Sequence, residues 1–135
     1  MTKIAIALFF FVLFLQLVAA LLTYVTVSSG RYIEGNPTSA TLQISYGLTG
    51  GLILTILQGT ILSMAPLTTY LGSLKYSQSN LVQPFKKASL MIAVKYFFFP
   101  LAASVFVYLA LIAGAEVLHD FAMFLSNGQI NLWSF

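Results

Sequence analysis

Three residues toward the C-terminal end, Glu116, His119 and Asp120, have the types and spacing to do chemistry. Positions three and four apart share a helix face, so these side chains would gather just past an apolar run. Helices present Glu-x-x-His pairs to metals, but such centres draw further ligands from other helices. This chain has one His, three acidic residues and no Cys. It can offer Glu116, His119 and Asp120 as one incomplete metal-ligand set, and the solvated end of a helix explains the same pattern. No Ser-His-Asp arrangement, catalytic carboxylate pair or glycine-rich phosphate loop can be built from this inventory. The sequence therefore assigns no catalytic residue and no cofactor, and bound lipids are the associated molecules it suggests. The chain is not expected to be an enzyme by itself.

A second set of polar residues lies inside apolar runs. Gln16, Gln58 and Ser104 each fall near the middle of one, as does Tyr108. Antiparallel neighbours would bring them to similar depth, and Gln16 is expected to meet Gln58. Such interhelical hydrogen bonds fix register and contribute about 0.6 kcal/mol each. A solute path along these groups is the functional alternative. Proton or ion pathways normally use a carboxylate or histidine within the span, and the middles of these runs have none.

These residues need long apolar elements to position them. The chain has 135 residues, 59% of them hydrophobic and 7% charged, against about 25% charged in soluble domains. The expected class is an all-α integral membrane protein, with room for three spans of roughly 20 residues. Helices are predicted over 4–28, 45–72 and 88–115, within a single transmembrane domain covering 1–135. The tail 117–135, which carries Trp133, is predicted to lie at the membrane interface. The first apolar run follows Lys3 but is longer than a signal-peptide core, so it reads as a retained helix. Pro66 is expected to kink the second helix or end it early, and Pro100 to bend the third.

The second run carries a ladder of small residues at every fourth position: Gly47, Gly51, Thr55, Gly59 and Ser63. Small residues let two backbones approach closely where lipid removes the hydrophobic drive. A spacing of four overshoots the 3.6-residue turn, so the stripe winds around the helix. It suits two successive partners. One is the first helix, where Gln16 would meet Gln58, and the other is a different protein.

Lys3, Lys75, Lys86, Lys87 and Lys95 fall on one side of a three-span arrangement and Arg31 on the other. The positive-inside rule then places the N-terminus in the cytoplasm and the C-terminus outside, in the cell membrane. Tyr24, Tyr32 and Tyr46 mark one boundary, and Tyr70, Tyr76 and Tyr96 the other, as interfacial belts do. Lys75, Lys86 and Lys87 can each attract anionic headgroups with roughly 1 kcal/mol. The net charge of +3 belongs to this topology signal and points to no nucleic acid.

The loop after the first run contains Arg31, Glu34, Asn36 and Pro37, which read as a turn. Thr23 and Thr26, then a Gly, then Glu34-x-Asn36-Pro37 resemble a family of small uncharacterised prokaryotic and archaeal membrane proteins. That family carries a Glu-x-Asn-Pro motif after its first span, and the likeness covers about 16–38. Its pattern favours an Asp in the first span, which this chain lacks. The family has no established activity, so the resemblance implies the fold class alone.

The expected function is that of a small accessory or structural subunit in a larger multi-subunit membrane complex, such as an energy-converting or respiratory assembly. It would act by helix packing and by stabilising other membrane subunits, in a hetero-oligomer rather than a homo-oligomer. The alternative is a homo-oligomeric small-solute channel or transporter component lined by Gln16, Gln58 and Ser104. A third reading makes Glu116, His119 and Asp120 one contribution to a membrane metal-enzyme site.

Overall fold

The first apolar run holds no Gly or Pro and forms the unbroken helix α1, Thr2–Ser28. Hydroxyls near its end turn back on their own backbone, as where Thr26 Oγ1 donates to the Leu22 carbonyl at 2.9 Å. These groups thereby satisfy themselves without a partner chain. The computed structural model describes residues 1–29 and 37–126, and every regular element among them is helical.

The second element, α2, runs Pro37–Gln78, with Pro37 as its first helical residue. Its helical order breaks at Gly47, where φ is 78° and ψ 169°, a combination essentially confined to glycine. The chain reverses there. Ser39 Oγ and Thr55 Oγ1 lie 3.4 Å apart, and a Cβ on Gly51 would sit 2.6 Å from the Gln43 backbone. Both pairs are symmetric about Gly47, the signature of a helical hairpin. A short arm, 37–46, folds back along a long shaft, 48–78, which continues through Pro66. The predicted second helix, 45–72, thus starts three residues before the shaft and omits most of the arm.

After a turn, α3 spans Pro84–Ala93. It passes through a π-helical stretch, Val94–Phe98, into α4, Phe99–Leu125. The π stretch has a local cause. Pro100 has no N–H and crowds the carbonyl four residues back. Widening the register relieves this, and the Phe99 N–H donates to the Val94 carbonyl instead. The helical path is continuous over Pro84–Leu125. The segment 117–125, predicted as part of an interfacial tail, therefore extends the third long helix. Ser126 caps the helix, and Trp133 with the tail from 127 onward lies outside the described residues.

Contacts give the topology. Thr23 touches Asp120 and Phe9 touches Phe106, each pair separated by 97 residues. A constant offset means that α1 and α4 run parallel and in register. Thr2 touches Tyr70, and Gln16 touches Ser63, so α1 and the shaft are antiparallel. The result is an up-down-up bundle in which α1 packs most extensively on α4, then on α2. Its core comprises Ala5, Val12, Tyr70, Val94, Ala102 and Phe106. Alanines at this interface bring the backbones close, and Phe106 fills the space between them, its ring edge-on to Phe9 at 6.3 Å. Among the described residues, three helices are long and apolar enough to cross a membrane. The lysines mark the bundle end near Thr2 and Tyr70, hereafter the lysine end. The arm and the two described carboxylates, Glu116 and Asp120, mark the other.

Candidate functional site: a cleft at the arm end

Gln16 sits midway along α1, and the shaft is shaped to receive it. Its Nε2 donates to Ser63 Oγ at 3.5 Å, a length at which a hydrogen bond is weak. Gly59 leaves the room: a Cβ there would lie 2.8 Å from Gln16 Oε1. That Oε1 is buried and has no hydrogen-bond partner. A buried acceptor without a donor costs about 1–3 kcal/mol, so the bundle leaves one acceptor waiting at its centre.

The expected Gln16–Gln58 pair does not form. Gln58 is exposed on the outer surface of the shaft, because one residue along a helix turns the side chain by 100°. Gly59 and Ser63 occupy the inward positions instead. Ser104 and Tyr108 also face outward from α4. Of Gln16, Gln58 and Ser104, Gln16 alone points into the bundle, so no path lined by all three runs through one copy of the chain.

The ladder has two uses within the chain. Gly51 and Thr55 receive the arm, and Gly59 and Ser63 receive Gln16. Gly47 is not a rung but the hairpin turn. The second partner of the stripe is therefore the chain's own arm where a different protein was expected. Ser39 and Gln43 are the packing residues that sequence reasoning missed. The only signal for them was their mirror spacing about Gly47.

Near the arm end, Asp120 is held through both carboxylate oxygens. Thr23 Oγ1 donates to Oδ2 at 2.7 Å, and His119 Nδ1 lies 3.1 Å from Oδ1. The short bond to a charged acceptor ties α1 to α4 and is of the stronger kind. Glu116 lies about one turn earlier, on the cleft side. His119 is buried, and its ring meets the Asp120 carboxylate. Among the described residues, no group of three or more His, Asp or Glu converges to hold a metal ion. Within the candidate set Glu116, His119 and Asp120, His119 and Asp120 are in contact, and Glu116 and Asp120 line the cleft. Arg31, Glu34 and Asn36 lie outside the described residues, as does the Glu-x-Asn part of the motif. Pro37 begins α2 and lines the cleft.

Between α1, the two limbs of α2 and α4 lies a cleft of about 470 Å³. Gln16 lines it toward the middle of the bundle. Ala19, Ala20, Leu52, Ile56, Leu109 and Ala113 supply apolar lining, and Thr23, Glu116 and Asp120 line it toward the arm end. The arm closes one side with Pro37 and Ser39, where Ser39 and Thr55 share a hydrogen bond. No family model matches the sequence, and no characterised protein or solved structure is detectably similar to the chain.

Proposed function

We propose that the chain crosses a membrane three times and acts as an accessory subunit of a larger membrane complex, stabilising partner helices rather than performing chemistry. The supporting observation is Gln58. It stands exposed on the bundle surface in the middle of the apolar shaft. Facing lipid, its amide would have neither water nor a protein partner, and polar groups within membranes are nearly always turned toward other protein. A helix from another subunit supplies that partner, and interhelical hydrogen bonds of this type are an established adhesive between membrane helices. Ser104 and Tyr108 present the same problem on α4.

Purification in mild detergent, followed by native mass spectrometry, tests this. Larger subunits should accompany the wild-type chain in fixed stoichiometry, and Gln58→Leu should release them while the chain stays folded. Recovery of the chain only as a monomer or homo-oligomer would overturn the proposal. A homo-oligomer dissociated by Gln58→Leu would support the solute-channel alternative, with Gln58 at an interface between copies.

A further inference from the structure

We propose that a cavity at the lysine end holds one anionic phospholipid by its phosphate, an inference that rests on the proposed three membrane crossings. The cavity, about 520 Å³, falls in the range of small-molecule sites. It opens between the first residues of α1, the last turns of the shaft and the junction of α3 with the π stretch. Lys95 is the one charged side chain among its described lining residues. It is exposed and forms no ion pair among the described residues. Its Nζ lies 5.2 Å from the centre of the Tyr96 ring. A ring face attracts the cation without satisfying its three N–H donors. Polar neighbours add to these donors. Gln78 is exposed and lines the same cavity. Tyr70 is buried, with its hydroxyl 3.2 Å from Thr2 Oγ1. When Tyr70 donates that bond, the half-buried Thr2 keeps its own proton for an acceptor in the cavity.

Depth and lining select the ligand. With 27 residues, α1 is roughly 40 Å long. That length matches a bilayer with its headgroup regions, about 40–45 Å, rather than the hydrocarbon core alone. Thr2, at the end of α1, therefore stands at the level of the headgroups, where lipid phosphates lie. Basic pockets between membrane helices on the cytoplasmic side are a recurrent headgroup site. Leu74, Met91, Ile92 and Val94 make the rest of the lining apolar. Ile92 is 59% exposed, so this apolar wall continues onto the outer surface of the bundle, where acyl chains run. A free phosphate would meet Lys95 but leave the wall unfilled. A neutral hydrocarbon would fill the wall and leave Lys95 without a counter-charge. A zwitterionic lipid carries its own cation beside the phosphate and gains less from Lys95. No acidic side chain is among the described lining residues, and Glu116 and Asp120 stand at the other end of the bundle.

The test places the full chain in nanodiscs of equal parts phosphatidylglycerol and phosphatidylcholine with matched acyl chains. Native mass spectrometry then counts the lipids that stay bound when the chain is released. One phosphatidylglycerol should be retained per chain, favoured over phosphatidylcholine by roughly fivefold, the factor that one lysine near a headgroup supplies. Lys95→Gln should remove the preference, and Lys95→Arg should keep it. Both changes fall on an exposed side chain, so the fold should tolerate them. Lys86→Gln, which removes a charge outside the cavity, should leave the preference intact. Inorganic phosphate in excess should not displace the lipid. Displacement would assign the site to a soluble anion and overturn the proposal. Equal retention of the two lipids by the inserted wild-type chain also overturns it. So does an equal loss from Lys86→Gln and Lys95→Gln, which would describe a diffuse field in place of a site. Each of these results leaves the three crossings standing. A chain that fails to co-elute with nanodiscs on size exclusion overturns both readings.

Discussion

At the scale of single residues, the glycines separate three physical roles that look alike in sequence. Gly51 permits contact with backbone, since an added Cβ would lie 2.6 Å from Gln43 Cα and N. Gly59 permits contact with the end of a side chain, Gln16, which can rotate aside. Gly72 has nothing within 4 Å. Stability in mixed-micelle unfolding should therefore fall most for Gly51→Ala and less for Gly59→Ala. It should hold or rise for Gly72→Ala, because Ala exceeds Gly in helix propensity by up to about 1 kcal/mol. Equal losses at all three would contradict the packing. The Thr23–Asp120 bond is tested separately. Thr23→Val keeps the shape and removes the donor, and should cost about 1 kcal/mol, toward the upper range for polar contacts between membrane helices. Phe106→Ala should cost about 2 kcal/mol, less than in a soluble core. The cavity term persists, but the transfer term largely cancels when the reference state is lipid.

At the scale of elements, the arm shows what could and could not be read from the chain. Close approach along Gly51, Thr55, Gly59 and Ser63 was legible, because small side chains at helical spacing have few other uses in an apolar run. The identity of the second partner was not. Gly47 sits in register with the ladder and reads as a rung, whereas its positive φ makes it the turn. Glycine serves both purposes, and spacing alone cannot separate them. The arm itself, with its Thr, Ser and Gln residues, is too short and polar to read as a membrane element. The sequence pairs Gln16 with Gln58, whereas the structure sets Gln16 against Gly59 and Ser63 and leaves Gln58 exposed. The hairpin makes its own prediction. The chain has no Cys, so Ser39→Cys with Thr55→Cys offers a clean pair. It should form an intramolecular disulfide under mild oxidation, detected by mass after proteolysis between the two sites. A pairing of Ser45→Cys with Thr55→Cys, on the same limbs but out of register, should not. Equal crosslinking of both pairs would mean that the arm does not hold the register set by Gly47.

At the scale of the whole molecule, charge is arranged along the bundle axis. The five lysines gather at one end, and Glu116 and Asp120 stand at the other, because α1 and α4 run parallel while the shaft returns between them. This polarity was legible from the sequence, since it needs only the number of spans and the positions of the charges. A bilayer core about 30 Å thick is shorter than each helical path. Continuous helix over Pro84–Leu125 amounts to about 63 Å at 1.5 Å per residue, so α3 would extend beyond the core at the lysine end. Its Lys86 is exposed there, in reach of anionic headgroups. The proposed orientation, with the lysine end in the cytoplasm, follows from the preference for Lys and Arg in cytoplasmic loops. Cysteine labelling checks it, provided that the sites are accessible. Ser39 is buried, but Thr41 and Asn80 are exposed. Thr41→Cys should react with a membrane-impermeant maleimide in intact cells, and Asn80→Cys only after permeabilisation. Reversed labelling would refute the orientation while leaving the bundle intact. Labelling of both from one side would refute the three-span arrangement, because the shaft between these sites would then fail to cross the membrane.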